Sequence, residues 1–171
     1  SLQGFRTFIK VKSGTKTLFW EPFKSSGESK STMVISSHEL TLEEENKALG
    51  LKIRVNYFTL PGESFAALIR RVAITNTTKK NLELEIIDGL PLILPYGMRD
   101  WTVKNMSRTV EAWVKVKNLK AKAPFYHLNV EVADTPDVKH IKEGNFYFAF
   151  TEEGVGARQK IKLLDPIVEA A

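Results

Sequence analysis

The side chains of this sequence that could carry chemistry are few and thinly spread. Histidine occurs only as His38, His127 and His140. No two of them stand at i, i+2 on a strand or i, i+4 on a helix, the spacings that bring imidazoles to one metal ion. Packing within a sheet or loop is the simpler role for each. Cysteine is absent, which removes disulfides, thiolate metal sites and a cysteine nucleophile, and permits a reducing cytoplasm. No metal and no cofactor is therefore expected. Neither a G-x-S-x-G elbow nor a G-x-x-x-x-G-K phosphate loop occurs, and Gly154-Val155-Gly156 is a bare G-x-G that reads as a loop. Two carboxyl groups flanking a glycosidic bond suffice for its hydrolysis. Asp88, Asp100, Asp134, Asp137 and the runs Glu43-Glu44-Glu45 and Glu152-Glu153 offer such groups, but no spacing singles out a pair. The runs read as solvated faces.

Two places carry more information. In Ile69-Arg70-Arg71-Val72, strand alternation sends adjacent guanidinium groups to opposite faces of an otherwise apolar run. An unpaired buried charge is costly, so one arginine should pair with Asp88 or a glutamate. The second place is the stretch from Asp88 to Trp101, where Pro91 and Pro95 flank an apolar run. Prolines cannot sit inside a central ladder, so this stretch should leave the sheet and present Tyr96, Arg99, Asp100 and Trp101. Aromatic, arginine and aspartate together suit a sugar ring or a protein interface. Lys104, Arg108, Lys115, Lys117, Lys120 and Lys122 form the densest basic stretch. Alternation puts Trp113 on the face of Lys115 and Lys117, where lysine stems would cover the ring. Nucleic acid is accordingly not the expected partner, although a basic nucleic-acid or protein interaction module stays an alternative.

These groups are positioned by elements whose period is two, the mark of half-buried strands. Phe5, Thr7, Ile9 and Val11 alternate with Arg6, Lys10 and Lys12, and Ser13-Gly14-Thr15 turns that strand into a hairpin over Thr17–Trp20. Leu51, Ile53, Val55 and Tyr57 repeat the pattern before the Leu60-Pro61-Gly62-Glu63 turn. Phe65–Thr75 is apolar on both faces and reads as a central strand. Further alternation covers Leu82–Ile86, Val110–Val116, Tyr126–Val132 and Phe146–Phe150, with Thr32–Ser36 and His38–Leu42 as weaker strands. Helix signals are confined to Glu43–Leu49 and to Trp101–Ser107 behind an Asp100 cap. About ten strands with one or two short helices predict an all-β, antiparallel sandwich. The 171 residues, 43% hydrophobic and 26% charged, fit one globular domain spanning 1–171 rather than a disordered chain. The net charge of +5 is mild. No segment approaches the ~20 apolar residues that span a bilayer, so no membrane partner is expected.

Arg70-Arg71-Val72-Ala73-Ile74-Thr75-Asn76-Thr77, with the alternating Leu82–Asp88 behind it, resembles the N-terminal β-domain of cellobiose phosphorylase-like proteins, enzymes of the glycoside phosphorylase and glycosyltransferase type. Arg6-Thr7-Phe8 with Trp20 and Pro22 resembles the same domain. The resemblance implies an antiparallel super-sandwich of galactose mutarotase-like form. It also implies a cytoplasmic parent acting on β-linked di- or oligosaccharides, an (α/α)₆ barrel carrying the catalytic groups elsewhere, and a homodimer. This chain is then expected to be a non-catalytic piece of that enzyme, with no catalytic residue of its own. Tyr96, Arg99, Asp100, Trp101, Arg70, Arg71 and Asp88 are its candidate substrate-binding or interface residues. A free-standing carbohydrate-binding or mutarotase-like epimerase domain, with His127 as its acid–base group, is the alternative.

Overall fold

A computed structural model describes residues 4–24, 29–94, 96–106, 108–131, 140–153 and 160–165. The expected all-β class is what the chain adopts. Twelve strands lie in antiparallel sheets among the described residues, with two short helices, α1 (Asp100–Met106) and α2 (Arg108–Trp113). The chain divides into two compact units, Gly4–Gly89 and Leu90–Ala171 with Ser1–Gln3.

The Gly4–Gly89 unit holds β1 (Arg6–Ser13), β2 (Lys16–Trp20), β3 (Lys30–Ile35), β4 (Glu39–Asn46), β5 (Leu51–Thr59), β6 (Leu68–Asn76) and β7 (Glu83–Gly89). One sheet has the order β2-β1-β7 and the other β3-β4-β5-β6. The β1–β2 hairpin closes with Ser13 opposite Lys16, and Gly14 supplies the positive φ of 62° that this tight turn needs. Alternation then decides burial. Ile9, Val11 and Trp20 of the first sheet share one core with Leu51, Ile53 and Val55 of the second. Each such side chain contributes roughly 1.5–3 kcal/mol when fully buried. A backbone bond from Thr77 N–H to Gly50 C=O (2.8 Å) fastens the entry of β5 to the end of β6. Gly50 is buried at φ +65°, and a Cβ there would stand 2.0 Å from Thr78 Cγ2, so only glycine fits.

Two sequence expectations fail in this unit. The apolar run ending at Thr75 is not a central strand, because β6 is an edge of its sheet. Arg70, Val72 and Ile74 are partly buried, whereas Leu68, Arg71 and Ala73 are exposed. Its outer face is apolar for a local reason: Ile69 sits opposite Phe58 in the ladder, and the Arg71 guanidinium lies over the Phe58 ring at 5.8 Å. The expected helix over Glu43–Leu49 is instead the end of β4 followed by a turn, in which Asn46 Oδ1 accepts from the Leu49 N–H at 3.1 Å.

The Leu90–Ala171 unit has β8 (Val114–Lys117), β9 (Phe125–Leu128) and β10 (Asn145–Phe146) in the order β10-β9-β8, and a separate pair of β11 (Ala149–Glu153) with β12 (Lys160–Leu164). The strand expected over Val110–Val116 is half helix. Buried Val110 and half-buried Trp113 stand three apart and so share one face of α2. Over so few residues, a period of two and a period of 3.6 mark the same apolar positions. The strand expected as far as Val132 ends at Leu128, where the Asn129 N–H bonds back to Trp113 C=O at 2.7 Å. Val132 itself, like Gly154–Gly156, Asp134 and Asp137, lies outside the described residues.

Candidate functional site

Arg70 is the most heavily partnered side chain of the first unit. From β6 its guanidinium donates to Asp88 on β7, to Tyr57 Oη on β5 at 2.9 Å and to Thr7 Oγ1 on β1 at 2.9 Å. Thr7 Oγ1–H in turn donates to the other Asp88 oxygen at 2.6 Å. The rings of Phe5 and Tyr57 stand 5.2 and 5.6 Å from the guanidinium carbon. The expected Arg70–Asp88 pair forms, with the Arg70 side chain only 6% exposed and that of Asp88, at 29%, still open to water. Its effect is to tie both sheets together at one end of their shared core. A planar fork holds its donors in fixed directions toward three separate acceptors, whereas an ammonium concentrates its donors on one nitrogen. Arg71 takes the opposite face, as alternation requires.

Beside this clasp lies a cleft of about 200 Å³ lined by Phe5, Arg6, Glu21, Phe23, Lys24 and Tyr57, among others. Arg6 Nε–H donates to Glu21 at 2.9 Å, and Lys24 lies 3.6 Å from the other Glu21 oxygen. The Arg6 hydrogen bond holds the Glu21 carboxyl below its usual range. Aromatic walls and a fixed carboxylate beside exposed ammonium and guanidinium groups can receive a hydroxylated ring. The volume is below the ~300–1,000 Å³ of drug-sized sites, enough for one ring rather than a chain.

A second polar centre escaped the sequence reading. Glu44 is 2% exposed, not part of a solvated face. Its carboxylate accepts from Trp20 Nε1–H (3.2 Å), the Phe23 backbone N–H (2.7 Å) and the Ser29 hydroxyl (2.8 Å). The signal was there in parity: in β4, Glu44 has the phase of Leu42, whereas Glu43 and Glu45 flank it on the outer face. Glu43 pairs there with Lys52 and Arg54, and those hydrogen bonds lower its pKa.

The remaining candidates belong to the second unit. The chain leaves β7 at Gly89 and runs without strand pairing through the described residues up to α1. Gly97, at φ +91°, turns it. Tyr96 and Trp101 are each 63% exposed, and Arg99 is exposed with its carbonyl accepting from the Thr102 N–H at 2.9 Å. Asp100 is the first residue of α1. These four line up along one short segment, apart in the chain from Arg70, Arg71 and Asp88. His127 is buried at 6% exposure on β9, with Nδ1 3.0 Å from the Leu128 carbonyl and no partner for Nε2 among the described residues. His38 and His140 are exposed. No group of three metal-ligating side chains occurs among the described residues, and no described helix is long and apolar enough to cross a membrane. Trp113 belongs to α2, so it does not share a strand face with Lys115 and Lys117. No protein-family model and no curated protein matches this chain.

Proposed function

We propose that this chain is a non-catalytic β-sandwich domain of a carbohydrate-acting protein of the cellobiose phosphorylase-like kind. Its role there is to buttress a catalytic (α/α)₆ barrel, to complete a homodimer and to lend a sugar-sized cleft. The observation that carries the reading is the Arg70 clasp. The side chains of the first unit best suited to acid–base chemistry, Asp88 and Glu44, are both consumed in holding structure. The two sheets that share one core support the sandwich form. The cleft beside the clasp, with Phe5 and Tyr57 on its walls and Arg6, Glu21 and Lys24 at its rim, supports contact with a hydroxylated ring.

Calorimetric titration with cellobiose and related β-linked disaccharides tests the reading. Binding is expected in the millimolar range, weakened about tenfold by Phe5→Ala, which removes a stacking ring worth ~0.5–1.5 kcal/mol. No phosphate-dependent cleavage of cellobiose is expected from the chain. Cleavage by this chain, or silence at high millimolar sugar, would remove the proposal.

A further inference from the structure

The basic stretch that the carbohydrate reading leaves unused has no ion pair among the described residues. Ion pairs in the first unit join Arg6, Lys10, Lys12, Lys24, Lys52, Arg54 and Arg70 to carboxylates. Residues 99–122 hold seven basic side chains against two acidic ones, an excess equal to the net charge of the entire chain. Lys104, Arg108, Lys115, Lys117 and Lys120 are exposed. Among the described residues none of these five is ion-paired.

The register of the β10-β9-β8 sheet gives this charge a shape. Lys117 lies opposite Phe125, which lies opposite Phe146, so the three form one row across one face. Lys115 lies opposite His127 in the next row, and the Phe125 and His127 rings stack at 5.8 Å. Gly144 adjoins them with no room for a side chain: a Cβ would come within 2.6 Å of the Phe125 ring and 2.4 Å of the Tyr126 carbonyl. Phe146 stacks on Phe148 at 5.8 Å yet keeps 42% of its surface exposed. The two lysines stand two residues apart, roughly 7 Å along the strand. Neither row contains a carboxylate.

We infer that this face, Lys115 and Lys117 beside Phe125 and Phe146, binds single-stranded nucleic acid. Regularly spaced cations track a phosphate backbone, and an exposed ring accepts an unstacked base. A duplex hides its bases and would use the lysines alone. Sugar recognition draws on carboxylates and forked donors, and this face has neither. The inference is independent of the cleft beside Arg70, which lies in the other unit.

Fluorescence anisotropy of the full chain with labelled oligo-dT and oligo-U of about 12 nucleotides tests it, with a matched duplex and a heparin oligosaccharide as comparison probes. Single strands are expected to bind in the micromolar range at about 50 mM salt, with log K falling by about 0.7 per phosphate contact for each tenfold rise in salt. Lys115→Gln with Lys117→Gln should weaken binding at least tenfold and flatten that slope. Phe146→Ala should weaken it several-fold with the slope unchanged, and Phe146→Trp should restore or strengthen it. Unchanged circular dichroism in each variant separates lost contact from lost fold. Absence of binding at low salt overturns the inference. So does equal affinity for duplex or heparin with no response to Phe146 substitution, which would mark a general polyanion surface.

Discussion

In the first unit, Lys10 and Lys12 on β1 face Glu85 and Glu83 on β7, with nitrogen–oxygen distances of 2.8 Å. In the second, Lys115 and Lys117 on β8 face His127 and Phe125. The same strand alternation thus produces opposite outcomes, and the difference lies in the residue across the ladder. Where register sets a carboxylate opposite a lysine, the charge is spent inside the fold and the surface becomes locally neutral. Where it sets a ring opposite, the charge stays available to an outside partner. Polar groups follow the same division. Arg70, Asp88, Thr7 and Tyr57 satisfy one another in the first unit, whereas His127 of the second keeps a buried nitrogen with no partner among the described residues.

The sharpest way to break this contrast is to strike the satisfied centres of the first unit. Glu44→Ala strands three donors that now share one carboxylate, and charged hydrogen bonds are each worth ~1.5–3 kcal/mol. A loss of about 4 kcal/mol is expected in urea unfolding, with a blue-shifted Trp20 signal giving way to that of a solvated indole. Arg70→Ala should follow at about 3 kcal/mol, because it removes three hydrogen bonds made by a side chain that is almost fully buried. Arg70→Lys should recover less than half of that, since an ammonium concentrates its donors on one nitrogen rather than aiming them at Tyr57, Thr7 and Asp88 separately. Full recovery by lysine would show that charge alone, not the fork, holds the sheets.

How much of this was readable beforehand depends on what each residue must do. β1 and β5 were legible because one face is buried and the other wet, so composition alternates with the pleat. The Arg70–Asp88 pair was legible because an arginine on a core face has to find a partner. Glu44 was not, since three consecutive glutamates look alike until register assigns one of them inward. β6 was misread as central because Ile69 and Arg71 pack on Phe58 across the outer face, and local cover of that kind mimics a second layer. α2 was misread because six residues are too few to separate the two periods. For Tyr96, Arg99, Asp100 and Trp101 the prolines foretold departure from the sheet, but no side-chain pattern specifies what an exposed segment meets.

A milder probe is pH. Hydrogen bonds from Lys10 and Lys12 hold the Glu85 carboxyl at about 2, far below its ordinary value of 4.5. A carboxyl depressed in the fold contributes stability above its unfolded pKa and loses it as pH falls through that value toward the folded one. Thermal midpoints should therefore drop between about pH 5 and pH 2, and Glu85→Gln should flatten part of that limb. Hydrogen bonds to Glu83 and then Glu85 raise Lys12, so its contribution is present below its ordinary 10.5 and fades at higher pH. Both side chains are exposed, and raising the salt should mute both effects. An acid limb identical in wild type and Glu85→Gln would show that these ladder pairs are ornamental.

The smallest expected effect sharpens the contrast most. Lys115→Gln and Lys117→Gln remove charges that no carboxylate of the described fold answers, so stability should change by no more than about 0.5 kcal/mol. The sign is informative as well. Seven cations against two anions between residues 99 and 122 repel one another, so removing two should leave the urea midpoint unchanged or slightly higher at low salt, and the difference should vanish as salt screens the repulsion. Lys10→Gln and Lys12→Gln, which delete answered charges from the other unit, should move the midpoint down under the same conditions. If the second-unit pair also destabilises, those lysines are serving as stems over the Phe125 and His127 rings, and their charge is not held in reserve for a partner.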